Sequence, residues 1–286
     1  MDKILAVSKR VYDIAIDNGI LESKLELSYI GTRVAEFQIG KSNCNREKYF
    51  KIAYLGSNLD YEEKGYPFLL KSLAEVDKQY ASNIDLVLTT TTQGKDDIIR
   101  DKLNLFHHVE IIHGYRHEDL NGILTGVNLG IIPVLWEDNL PQVAIEMVSF
   151  GVPILSSDAG GASELTDSSN FKFRAGSVKD FLNKLYAIYN GEVELNEFWN
   201  NHKGLCTNQD HYEQIESIYG LGKIHDIILS GQDVSDILEE NIFLYDHFVE
   251  EDIHSYKDEI NGLKKEVEQL RAQKENIEWQ LSETRK

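Results

Sequence analysis

This chain has few cysteines, few prolines and few basic residues, and it has no long apolar run. Its two cysteines, Cys44 and Cys206, stand far apart and without metal-ligand spacing. That argues against a disulfide framework or a cysteine metal site, and free thiols in a reducing compartment are expected. Lysine and arginine number 29 against 48 acidic residues, a net charge of −19. A pI near 4.8 argues against nucleic acid or anionic membrane as a bulk partner. No stretch of 18 apolar residues is present, so no membrane span is expected. The N-terminus, MDKILAVSKRVYDIAID, carries early acids and no apolar h-region, unlike a signal peptide. A soluble, cytoplasmic protein is expected.

The shortage of bases is uneven. Residues 191–250 hold 13 acidic residues against Lys203 and Lys223 alone, which reads as a solvated acidic surface. At 42% hydrophobic the chain can bury a core, and 286 residues allow one or two domains.

The most informative stretch is Gly130 to Glu164, GIIPVLWEDNLPQVAIEMVSFGVPILSSDAGGASE. Two of the four prolines bracket a helix in it. Pro141 suits a first helical turn, where its missing N–H costs nothing, with Asn139 as the expected cap. Gly151 and Pro153 end that helix. The apolar runs Ile131–Leu135 and Val152–Leu155 flank it as strands, and the second leads into Gly160-Gly161.

The same alternation fills the chain. Strands are expected at 4–7, 25–30, 51–56, 84–88 and 109–112. Helical patterns follow at 9–19, at Phe68-Leu69-Leu73-Val76, at 96–105, at 118–126 and at 178–189. Strands alternating with helices imply a parallel sheet covered on both faces, so 41–190 is read as a doubly wound, Rossmann-like α/β domain. Residues 191–250 are expected to be mostly helical. In 251–286, Ile253, Tyr256, Ile260, Leu263, Val267, Leu270, Ile277 and Leu281 recur at heptad steps, interrupted by Lys274. That predicts a coiled-coil tail and a homo-oligomer or coiled-coil partner. The pattern stops as if truncated, and a strand so near Met1 is expected to belong to something larger upstream.

Asp138 and Glu146 stand eight residues apart, one in the loop at the helix start and one inside the helix. A polyhydroxylated ligand over that helix end can give hydroxyls to both. The N–H groups of Leu140, Gln142 and Val143, with the helix dipole, suit an anion. Hydroxyl-binding carboxylates beside phosphate-binding amides fit a sugar nucleotide. Spacing alone equally allows a surface helix carboxylate and a second capping group. Gly56 after a strand lets a ligand approach the backbone. Lys64-Gly65 opens the next helix and can meet a phosphate, although a lysine there is more often simply solvated.

The stretch EDNLPQVAIEMVSFGVPILSSDAGGASEL resembles the signature of family 4 glycosyltransferases, retaining enzymes of GT-B architecture. Asp138, Glu146, Gly151, Pro153, Gly160, Gly161 and Glu164 fit its pattern. Gly56 and Lys64-Gly65 resemble the family's G-R-x-x-x-x-K-G phosphate loop, and Ser8 and Gly31 its crossing between halves. The resemblance spans roughly 4–190. It implies that Glu146 holds ribose hydroxyls, that Asp138 with the Asn139-Leu140 backbone holds the donor sugar, and that Lys64 neutralises the diphosphate. It also implies that His113, Gly114 and Tyr115 lie against the base, with no metal and no cofactor beyond the donor itself.

Three departures stand out. The first acid is Asp rather than Glu, with Glu137 in a shifted register. The loop arginine is replaced by Ser57 or Asn58, with Arg116 as a candidate substitute. Residues 1–40 are expected to hold only a remnant of the N-terminal acceptor domain, and none of the nine histidines can be assigned the catalytic role. The acceptor half is therefore expected either from a separate acceptor-binding domain or from a longer chain of which this is a fragment, with a glycan or lipid-linked acceptor. Surface polysaccharide synthesis, peripheral to the inner membrane, is the expected setting. The competing reading is a non-catalytic assembly module that uses its coiled coil to recruit partners.

Overall fold

In the computed structural model, residues 3–32, 48–56 and 61–219 are described. The chain divides into two units, Met1–Ile215 and Glu216–Lys286. The architecture below is that of the first. The predicted coiled coil at 251–286 and the loop at Ser57 and Asn58 lie outside the described residues.

The chain opens with β1 (Ile4–Ala6), α1 (Lys9–Asp17) and β2 (Leu25–Leu27), and the two strands pair in parallel. Ser8, fully buried, caps α1 by accepting the Val11 N–H at 3.2 Å. The main sheet is built from β3 (Phe50–Tyr54), β4 (Ile84–Thr90), β5 (His108–His113), β6 (Leu129–Ile132), β7 (Ile154–Ser157) and β8 (Lys172–Phe173). Its order is β5-β4-β3-β6-β7-β8, with every pairing parallel. Strands buried on both faces are apolar on both, as Leu86, Val87 and Leu88 in the middle of β4 show. The connecting helices are α2 (Tyr66–Ala74), α3 (Lys78–Ala81), α4 (Asp96–Lys102), α5 (Leu120–Leu124), α6 (Gln142–Ser149) and α7 (Val178–Tyr189). Helices α8 (Leu195–Asn200) and α9 (Asn208–Tyr219) follow. Among the described residues, no helix is long and apolar enough to cross a membrane.

Strand order reverses between β3 and β6, and in such sheets ligands bind in the crevice at the carboxyl ends of those two strands. Close packing sets the crevice geometry. A Cβ on Gly130 of β6 would lie 2.3 Å from Met147 Sδ, so α6 rides unusually close to the sheet. On the opposite flank Phe68, Phe173 and Phe181 form a buried aromatic cluster that fixes α2 against α7 and β8.

Several expected boundaries change. The strand expected at 131–135 is Leu129–Ile132 and stops before Pro133, which has no N–H for a ladder. Helix α6 starts at Gln142, after Pro141 rather than with it. Asn139 lies too far upstream to cap it. The C-terminal end matches expectation and shows why. Gly151 (φ +80°) donates to Val148 O at 3.0 Å and Val152 donates to Met147 O at 2.9 Å, a Schellman closure. Strand β8, two residues long, carries no periodic signal and was not foreseen.

Candidate functional site

A cleft of about 540 Å³ occupies the crevice. Tyr54, Leu55 and Gly56 at the end of β3 and Ile132 to Val134 at the end of β6 form its base. Lys64, Thr91, Tyr115, His117, Asp138 and Glu146 are among the side chains around it.

The base is rigid for a local reason. The Gly56 N–H donates to Thr89 Oγ1 at 2.8 Å, and the same hydroxyl donates to Gly56 O at 2.9 Å. A Cβ at position 56 would sit 2.2 Å from the Tyr54 ring. Lys64 is delivered by a left-handed residue, Gly65 (φ +76°), whose added Cβ would lie 1.7 Å from the Pro133 carbonyl oxygen. Leu135 N–H to Glu63 O, at 2.9 Å, ties the same two segments together.

That closeness brings Lys64 to Asp138. Lys64 Nζ donates to Asp138 Oδ2 at 2.8 Å. Its ammonium also lies 5.3 Å from the centre of the Trp136 ring. The other carboxylate oxygen of Asp138 accepts the Asn139 N–H at 3.0 Å. Across the cleft, Glu146 sits one turn into α6, with His117 Nδ1 3.9 Å from its Oε1. The backbone N–H groups of Gln142 and Val143 have no acceptor among the described residues, as expected at a helix start. Burial pushes the Tyr54 and Tyr115 phenols well above their ordinary value, with the charge of Glu146 adding to the effect at Tyr115.

The loop from Trp136 to Asn139 is held from beneath. Gly161 N–H donates to Asp138 O at 2.9 Å, and Gly160 N–H donates to Glu137 Oε2 at 3.1 Å. A Cβ on Gly161 would lie 2.0 Å from Asn139 O, so the glycine pair lets the loop pack directly on the turn after β7. Arg10 of α1 grips Glu137 with two prongs, Nε to Oε2 at 2.6 Å and Nη2 to Oε1. The Arg10 guanidinium holds the Glu137 carboxyl below the usual carboxylate range, and the Gly160 N–H assists.

Of the residues singled out from sequence, Gly56, Lys64, Tyr115, Asp138 and Glu146 meet in one cleft. Gly160, Gly161 and Asn139 support it from below and do not line it. Leu140 is buried and faces a second cavity of about 320 Å³ with Tyr29, Glu164 and Cys206. His113 turns away, with its Nε2 2.9 Å from Asp96 Oδ2. Arg116 is 82% exposed beside Glu118 and Asp119 and does not reach the cleft. Tyr54, Thr91 and His117 were missed. Tyr54 ends β3 and Thr91 follows β4, positions that could have flagged them, whereas His117 opens a short 3-10 turn beyond β5 and carries no such signal. Among the described residues no group of three or more His, Cys, Asp or Glu side chains is placed to hold a metal ion.

Residues 49–190 match the family model described as glycosyl transferases group 1, a segment that covers the whole six-stranded sheet and α7. Solved structures resemble the chain at low identity. Anabaena HepE in complex with UDP and glucose is 18% identical with a TM-score of 0.59, covering 77% of this chain and 63% of that one. The lipopolysaccharide outer core galactosyltransferase WaaB is 16% identical with a TM-score of 0.61, covering 77% and 62%. Sucrose-phosphate synthase from Thermosynechococcus elongatus is 16% identical with a TM-score of 0.58, covering 81% and 59%. These likenesses establish a GT-B-like α/β fold, and the chain spans less than two-thirds of each relative. Comparison with curated proteins gave no match.

Proposed function

We propose that this glycosyltransferase group 1 domain, residues 49–190, is the donor half of a retaining glycosyltransferase that takes a nucleoside diphosphate sugar into the cleft. The observation that carries the reading is the grouping of unlike polar groups in one cleft of about 540 Å³: Lys64, the start of α6, Asp138 and Glu146. The diphosphate lies between Lys64 and the Gln142 and Val143 N–H groups, where a fixed cation and a helix dipole stabilise the charge that develops as the bond to the sugar breaks. Glu146 accepts the ribose hydroxyls and the base lies against Tyr115. The sugar reaches Asp138. Retention follows if the leaving phosphate assists attack on the same face.

The acceptor is a glycan or lipid-linked chain, presented by a separate acceptor-binding domain. The setting is surface polysaccharide synthesis in the cytoplasm, peripheral to the inner membrane. The likeness in fold to WaaB, a lipopolysaccharide outer core galactosyltransferase, agrees with the polysaccharide part of this reading.

Calorimetric titration of the full chain with UDP, GDP and dTDP sugars tests the donor site. Binding of one of them is expected. Absence of any binding would sink the donor reading and leave the assembly-module reading in its place. Glu146→Ala is expected to weaken binding by about tenfold or more, the scale of one or two lost charge-assisted hydrogen bonds. Unchanged affinity would remove the ribose assignment.

A further inference from the structure

We infer that Lys64 and Asp138 couple phosphate binding to sugar binding, so that the cleft selects a sugar nucleotide over the bare nucleoside diphosphate. The inference rests on the donor reading above. The Asp138 side chain is only 10% exposed, while that of Lys64 is 43% exposed. A carboxylate that buried is stable only while its oxygens accept hydrogen bonds from donors. Oδ1 has the Asn139 N–H at 3.0 Å and Oδ2 has Lys64 at 2.8 Å.

Lys64 is the more exposed partner, and it is the cleft cation assigned to the diphosphate. When it turns to the phosphate, Oδ2 of Asp138 loses its donor. A bare diphosphate supplies no replacement. A sugar carried on the same diphosphate brings a hydroxyl to that oxygen, and the exchange is complete: Lys64 to phosphate, hydroxyl to carboxylate. Asp138 then acts as a specificity-determining group that penalises the product-like ligand and rewards the donor. The same asymmetry favours release of the nucleoside diphosphate once the sugar has left.

The experiment is a double-mutant cycle by calorimetry on the full chain. It uses UDP, GDP and dTDP, each with its glucose or mannose conjugate, and carries forward the pair that wild type binds. Wild type is expected to prefer the conjugate by about tenfold, within the usual range for coupled sites. Asp138→Asn is expected to strengthen binding of the bare diphosphate and weaken that of the conjugate, inverting the preference. In a Lys64→Met background, Asp138→Asn is expected to lose most of its gain on the bare diphosphate, because no lysine remains to be released. An equal gain in both backgrounds would reduce the effect to simple charge repulsion and overturn the coupling. An unchanged preference in Asp138→Asn would overturn it too, while leaving the donor site intact. No nucleotide binding by wild type would overturn both readings.

A wild-type measurement covers the case of a poorly folding variant. Ligand-observed NMR of the free sugar is expected to show binding only with the diphosphate present. Equal sugar affinity with and without it contradicts the coupling.

Discussion

Arg10 and Glu137, separated by 127 residues in sequence, form a two-pronged ion pair that pins the loop carrying Asp138 to the first helix. Glu137 shares its carboxylate with the Gly160 N–H, so three segments meet at one side chain. Asp138 follows directly in the loop that this pair holds, and its Oδ2 accepts from Lys64. The acid offered by a shifted register thus takes a separate role: Glu137 holds the loop and Asp138 faces the cleft.

That pair gives a pH dependence. The folded-state pKa of Glu137 lies below its ordinary value of 4.5. Its contribution to stability is therefore present above that ordinary value and is lost as pH falls through the lower, folded one. Both partners are more than a third exposed, so the effect is small, under about 1 kcal/mol. Thermal melts of Glu137→Gln and wild type should differ slightly at neutral pH and converge in acid. A gap that widens in acid would contradict the assignment.

Glu164 anchors the N-terminal segment. Its carboxylate accepts the Lys9 and Arg10 N–H groups at 2.9 and 2.5 Å and the Tyr29 hydroxyl at 2.9 Å. Glu164→Ala leaves the start of α1 without this acceptor and is expected to destabilise by about 1–3 kcal/mol, read by urea denaturation. Tyr29 offers a second readout. Burial first, then the hydrogen bond to Glu164, push its phenol up to about 12. In the variant, spectrophotometric titration should show its ionisation moving down. No movement would remove Glu164 as a cause.

Gly65→Ala is expected to be severe. The left-handed backbone alone costs about 1–2 kcal/mol for a residue with a Cβ. The added atom also falls 1.7 Å from the Pro133 carbonyl, which must shift. Loss of the folded protein, or a large drop in midpoint by denaturant titration, is the expected outcome. A wild-type midpoint would mean that the contact between Gly65 and the end of β6 is not as close as described.

Thr89→Val tests the cleft base. The fully buried hydroxyl bonds both the N–H and the carbonyl of Gly56, and valine keeps its shape while removing both bonds. A cost of about 1–3 kcal/mol is expected from the unpaired backbone groups. Weaker binding of whichever nucleotide sugar the wild type takes should accompany it. Normal stability and affinity together would show that Gly56 holds its position without Thr89.

Much of this was legible in the residues, and the limits have identifiable causes. Helix α7 runs over Val178–Tyr189 as its apolar stripe predicts, because Phe181, Leu185 and Ile188 all fall on one buried face. Strand β8 was invisible, because two residues cannot show a period. The family resemblance implies that His113 lies against the base with Gly114 and Tyr115. Alternation along β5 sends successive side chains to opposite faces, and His113 pairs with Asp96 instead.

The sequence by itself determined most of the elements, β8 excepted, and the local chemistry. Apolar periodicity specified parallel strands alternating with helices. The eight-residue spacing set Asp138 ahead of α6 and Glu146 within it, since helix geometry is fixed by backbone hydrogen bonds between near neighbours. The tertiary structure decided which distant groups meet. Lys64 reaches Asp138 across 74 residues, and Arg10 reaches Glu137 across 127. Those contacts follow from strand order and from how closely backbone passes backbone at Gly65, Gly160 and Gly161. Packing across the whole sheet sets these distances, and no local run of residues encodes them.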